Sequence, residues 1–169
     1  MTEAQLSNAM DAYGSTVYRL ALTRMQNIAD AEDVYQEVFL RLWKQAAEDW
    51  DGDRAKAWLI RTTLNRCADL HRFHLRRPVL SFAEIPDLAQ PEDESRELWE
   101  AVSRLPEKAR TAVHLYYAEG YSAEEISQLM HIPAATVRTR LHRARKQLKE
   151  LLGGIDDETC VSRSDGTNF

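Results

Sequence analysis

Cysteine is scarce in this chain: the 169 residues hold two, Cys67 inside a helical pattern and Cys160 in a polar terminal stretch. That is neither a disulfide framework nor a zinc spacing, so both are expected as reduced thiols. Long apolar runs are missing as well. Although 44% of residues are hydrophobic, none of the stretches nears the ~18 to 20 uninterrupted apolar residues of a membrane span, and no membrane insertion is expected. The N-terminus, MTEAQLSNAM, carries an acid and no Lys or Arg ahead of an apolar run. It lacks the features of a secretory signal, which makes the cytoplasm the expected location. Sustained alternation of apolar and polar residues, the mark of strands, is also absent. So is the Glu-x-x-His spacing with which helical proteins hold two irons. No metal, cofactor or enzymatic chemistry is expected.

What is present is helical periodicity, so the expected class is all-α. Leu6, Met10, Tyr13, Val17, Leu20, Ala21 and Met25 make one stripe, with a break expected near Gly14. A second helix is expected over 30–46, with Asp30 as N-cap and Ala31, Val34, Tyr35, Val38, Phe39, Leu42 and Trp43 inward. A third is expected over 54–75, stopped by Pro78. Trp43, Trp58 and Trp99 are expected in the core. Residues 78–94 mix prolines with acids and lose the period, which reads as a flexible linker. Helices are then expected over 98–105 and 106–119, followed by a close pair. The expected architecture is therefore two small helical domains, 1–77 and 95–152, joined by the linker. The tail, 153–169, has little to bury and is expected to be disordered.

The net charge of −5 argues at first against a nucleic-acid partner, but the charges are segregated. From His131 through Lys149 the chain carries Arg138, Arg140, Arg143, Arg145, Lys146 and Lys149 and no acid. A second basic run, 54–77, has Asp69 as its one opposing acid beyond Arg54, while acids gather at 30–37, 48–53 and 156–158. Two basic faces suit DNA, and an acidic face suits a basic protein surface.

The stretch YSAEEISQLMHIPAATVRTRLHRARKQLKELL is the most informative. Ser122 and Glu125 form a capping box, His131 and Ile132 supply a turn, and Pro133 opens a longer helix. There Val137, Leu141, Ala144, Leu148 and Leu151 make an apolar spine. Two helices this close, the second long and basic, describe a helix-turn-helix. A helix can enter the major groove only if one side packs on its own domain while the other reaches base edges. Arg138, Thr139, His142, Arg143 and Lys146 occupy that other side, with Thr136 near the helix start, where phosphate is attracted. The plainer alternative is a solvated terminal helix of a bundle, although such helices usually mix charges of both signs.

DAEDVYQEVFLRLWK followed by AWLIRTTLNRCADLHRFHLRR resembles the second conserved region of sigma factors of the extracytoplasmic-function (ECF) type, and LPEKARTAVHLYYAEGYSAEEI onward resembles their fourth. The resemblance covers about residues 8–152, in the family's order. It implies a protein that programs core RNA polymerase and opens promoter DNA without bond chemistry of its own. It implies that Asp33, Gln36, Glu37 and Arg41 dock on the β′ clamp helices, with the β flap as a further polymerase contact. Without the resemblance, the same four residues read more readily as an ordinary solvated face. It further implies that Arg61, Asn65, Arg72 and Arg76 meet the minus-ten element and the helix-turn-helix residues the minus-35 element. Trp50, in the loop EDWDGD, matches the family's loop that captures a flipped base; a lid over the core is the other reading of that residue. By analogy an anti-sigma factor is an expected partner. Histidine stands at 131 and alanine at 135, where the family often has glycine; histidine tolerates a left-handed turn better than most residues. A helix-turn-helix regulator that does not program polymerase, or a mimic that sequesters an anti-sigma factor, is the competing function.

Overall fold

The computed structural model describes residues 1–45, 52–76 and 93–153, and every element in them is helical. Three long helices form the N-terminal module: α1 (Glu3–Met25), α2 (Ile28–Lys44) and α3 (Gly52–Arg76). The C-terminal module holds α4 (Asp93–Ser103), α5 (Glu107–Val113), α6 (Ala123–Met130) and α7 (Ala134–Leu151). The expected linker, apart from its last two residues, and the expected tail beyond Gly153 lie outside the described residues.

Local chemistry explains the element ends. The Thr2 hydroxyl accepts from the Gln5 N–H at 3.2 Å, and the Gln5 side chain returns the bond to the Thr2 N–H at 2.8 Å. α1 ends as Gln26 turns left-handed, at φ 52°. That turn leaves Asn27 extended, and its side chain, not that of Asp30, caps α2 by accepting from the Asp30 N–H at 3.0 Å. Asp30 instead meets His74 of α3 at 3.0 Å. The expected break at Gly14 does not occur. α1 runs through it despite the ~1 kcal/mol that glycine costs a helix, and a Cβ there would lie 3.0 Å from the Tyr35 hydroxyl, so glycine suits the close approach of α2.

Val17, Ala21, Val34, Val38, Leu42 and Leu59 fill the N-terminal core, each large side chain contributing roughly 1.5 to 3 kcal/mol by leaving water. Trp58 packs half-buried against it. Trp43 and Trp99 do not join a core: they are 42% and 41% exposed. The buried positions of α2 step from Val34 to Val38 to Leu42, which places Trp43 about 100° round the helix from that stripe. In α4 the buried residues are Ala101 and Val102, leaving Leu98 and Trp99 at the margin.

The helix expected over 106–119 is α only as far as Val113. Its last turn, His114–Ala118, widens into a π turn, with the Glu119 N–H donating to the His114 carbonyl at 3.2 Å. Residues five apart lie about 140° apart on an α-helix. The wider turn brings both side chains inward, His114 at 3% exposure and the Glu119 side chain at 6%. Periodicity does not disclose how the modules sit. Here α1 packs on α5 and α3 on α6, and Leu20, Ile60 and Leu64 of the first module share one buried cluster with Leu115, Ile126 and Leu129 of the second.

Candidate nucleic-acid interface

α6 and α7 are set against each other by the cues visible in their sequence. The Ser122 hydroxyl accepts from the Glu125 N–H at 3.2 Å, and the Glu125 carboxylate accepts from the Ser122 N–H at 2.7 Å. His131 takes the left-handed conformation, φ 55°, and the Ile132 N–H donates to the Ser127 carbonyl at 3.1 Å, so the turn closes without glycine. Val137, Leu141 and Ala144 are buried and Leu148 packs beside them. This leaves Arg138, Thr139, His142, Arg143 and Lys146 on the exposed side, with Thr136 half-buried near the helix start. The Arg138 guanidinium pairs with Glu124 of α6. The Thr139 hydroxyl donates back to the Ala135 carbonyl at 3.0 Å, which leaves its oxygen lone pairs and methyl for a partner.

On α3, Arg61, Asn65, Asp69, Arg72 and Arg76 are all exposed, at steps of three or four that line them along one side. Arg72 and Asp69 pair at 2.5 Å. The opposite side is core, and there burial pushes the Cys67 thiol up to about 12, leaving it unreactive. Trp50, expected to lie beside this helix, falls outside the described residues.

On α2, Asp33 and Gln36 are exposed and Glu37 and Arg41 half-buried. Arg41 bonds Glu37 at 2.9 Å and so holds that carboxyl below the usual range. Asp33 reaches Arg66 of α3 at 3.1 Å, which ties the α2 face to the base of the α3 face. Two residues beside this face escape sequence reasoning. Leu40 is 51% exposed and, with Trp43, extends the polar strip into an apolar one. The signal that could have found them is the step of four and then three from Gln36. An apolar centre flanked by charge is the usual anatomy of a protein contact.

The described residues thus present an acidic-apolar strip on α2, a mixed polar strip on α3 and a cationic strip on α7. Residues 9–77 match the protein family Sigma-70 region 2, and residues 95–148 match Sigma-70 region 4. The chain belongs to the ECF sigma factors. Among its relatives is the ECF RNA polymerase sigma factor SigE of Mycolicibacterium smegmatis, 34% identical over 161 residues. That match takes in 89% of this chain and 62% of SigE, so the chain spans about three fifths of that relative's length. SigM of Bacillus subtilis, also an ECF sigma factor, is 32% identical over 86% of this chain and 94% of its own. Among solved structures, the sigma factor RpoE of Bartonella quintana, crystallised in complex with the anti-sigma factor NepR, superimposes with a TM-score of 0.75. It covers 90% of this chain and 99% of that one at 23% identity, a likeness of fold. Among the described residues no helix is long and apolar enough to cross a membrane.

Proposed function

We propose that this chain directs core RNA polymerase to promoters and assists strand opening, while the polymerase performs the chemistry. The observation that carries the reading is α7: one side is core, and the other is exposed, cationic and, from 131 to 149, without an acid of its own. Such a helix can lie in the major groove with Arg143 and His142 toward base edges and Lys146 toward phosphate. Thr136, Arg138 and Thr139 complete the minus-35 surface. Arg61, Asn65, Arg72 and Arg76 take the minus-ten element, with Trp50 as the stacking platform for an extruded base. The α2 strip of Asp33, Gln36, Glu37 and Arg41, extended by Leu40 and Trp43, receives the β′ clamp helices, and the region-4 module meets the β flap.

In this reading residues 1–77 and 95–152 are the working domains, the site of action is the cytoplasm, and an anti-sigma protein is a further partner, as NepR is for RpoE. Run-off transcription with purified core enzyme on a random promoter library tests the proposal. Initiation from a subset of templates sharing two spaced motifs is expected. Binding to DNA without any initiation would point instead to a helix-turn-helix regulator that does not program polymerase.

A further inference from the structure

Three of the acids on α2 already have a basic neighbour: Asp30 has His74, Asp33 has Arg66 and Glu37 has Arg41. Glu32 is left over. It is exposed and forms no salt bridge among the described residues. It stands at the edge of a notch of about 400 Å³ between α1 and α2, whose other walls are Gly14, Ser15, Tyr18, Tyr35 and Gln36. The Tyr18 and Tyr35 rings meet at 79° with centroids 6.3 Å apart, so one offers a face where the other offers an edge. Phe39 backs the Tyr35 ring at 4.8 Å. Gly14 keeps the floor open, since a Cβ there would lie 3.0 Å from the Tyr35 hydroxyl. Asp11, one turn before Ser15 on α1, adds a second negative charge. Burial and then Asp11 push the Tyr35 hydroxyl above its ordinary value, so it stays a neutral donor. Arg19, one turn beyond Ser15, touches the rim through the Ser15 hydroxyl at 3.5 Å and does not pair with Glu32.

We propose that this notch is a socket for one arginine side chain of the protein docked on the α2 strip, its guanidinium lying on a tyrosine face with its edge toward Glu32. The identity of the partner, the β′ clamp helices, rests on the docking assignment above; the preference for a guanidinium does not. Continuity places the socket. Gln36 lines the notch and belongs to the strip, and the exposed Leu40 and Trp43 follow it one and two turns further along α2. A helix lying over Leu40 and Trp43 therefore carries side chains within reach of Glu32, one turn before Gln36. Chemistry selects the ligand. A guanidinium is planar and weakly hydrated, stacks on aromatic rings and donates along its edge to a carboxylate, whereas an ammonium is a compact, strongly hydrated point charge. Two crossed rings with a carboxylate beside them suit the plane and the edge of the former. An apolar side chain would desolvate Glu32 without pairing it, and an acidic one would be repelled by Glu32 and Asp11.

Two measurements on the full chain test the socket. In the first, N-acetyl-arginine amide, N-acetyl-lysine amide and N-acetyl-citrulline amide are titrated onto the free chain while the Tyr18 and Tyr35 ring signals are followed by NMR. Saturable shifts of both rings are expected with the arginine probe, weaker ones with lysine and none with citrulline, which keeps the shape and lacks the charge. Glu32→Gln is expected to weaken the arginine probe about threefold at unchanged helicity. Rings that ignore the arginine probe, or that answer lysine or citrulline equally, would overturn the socket. The second measurement is the affinity for purified core polymerase. Glu32→Gln and Tyr18→Leu are each expected to lower it roughly 3- to 30-fold, and Glu32→Lys further still, because the like charge repels the arginine. Glu3→Gln removes the same charge at the far end of α1 and is expected to leave the affinity unchanged. Notch variants that bind core enzyme as tightly as the parent would sink the proposal. Should Tyr18→Leu lose helicity, the two Glu32 variants decide, since that side chain is exposed. A parent chain that does not bind core polymerase would remove the partner and the docking assignment with it, while the probe titration still judges the notch, so the two readings fail separately.

Discussion

α3 and α7 read alike as basic helices, and the fold treats their charges differently. On α3, Lys56 is paired with Glu119, Arg66 with Asp33, His71 with Glu107, Arg72 with Asp69 and His74 with Asp30. On α7, Arg138 pairs with Glu124, while Arg140, Arg143, Arg145 and Lys146 have no acid partner among the described residues. A count of Lys and Arg therefore overstates the field that α3 presents to a phosphate. Under the proposed promoter-reading function, α7 would carry the long-range, salt-sensitive part of DNA binding and α3 the short-range contacts.

The largest effect that would sharpen this contrast is at Arg143. Arg143→Ala is expected to cost ~1 to 3 kcal/mol of discrimination, roughly 5- to 150-fold, at one base position. Run-off transcription on a promoter library reads it, with co-purification of core polymerase unchanged; an unaltered preference would remove Arg143 from the reading surface. Acid should next expose the pairing on α3. His114 and then Lys56 outweigh burial and hold the Glu119 carboxyl at about 2 against an ordinary 4.5, so its contribution to stability is complete above about 4.5 and is lost as pH falls from there toward 2. Melting temperatures measured from pH 7 to pH 3 should thus converge between the parent chain and Glu119→Gln; a constant gap would mean the carboxylate is not held. Lys146→Ala is expected to weaken binding evenly across sequences and to lower the slope of log affinity against log salt by about one. The smallest effect belongs to Arg72→Ala, because Asp69 already holds that guanidinium: its salt slope should move by less than about half a unit. Equal slopes for Lys146→Ala and Arg72→Ala would break the comparison between the helices.

Much of the candidate site is legible in the sequence. The Ser122 and Glu125 box, the left-handed His131 and the spine from Val137 to Ala144 stand where their spacing puts them, because caps and stripes are decided within one or two helical turns. The departures are equally specific. Gly14 reads as a helix breaker because propensity considers one chain segment, whereas the glycine answers to the Tyr35 ring of another helix. Residue type puts Trp43 and Trp99 inside, although their angular positions lie off the buried stripes. Leu40 and Trp43 follow Gln36 at steps of four and then three, so their place beside the α2 acids is legible from position although their residue type points inward.

Helical content, element order and the acid-free run from 131 to 149 are written in the chain itself, through periods and caps that act between near neighbours. Which cations remain available, and that Arg110, Glu107 and Glu119 clasp a module whose partners lie far away in sequence, was decided by packing. Thr23 and Arg110 are 87 residues apart, and no local pattern marks them. A charge finds such a partner only after the helices have stacked, since the pairing depends on distances of a few ångströms that the linear order of residues does not contain.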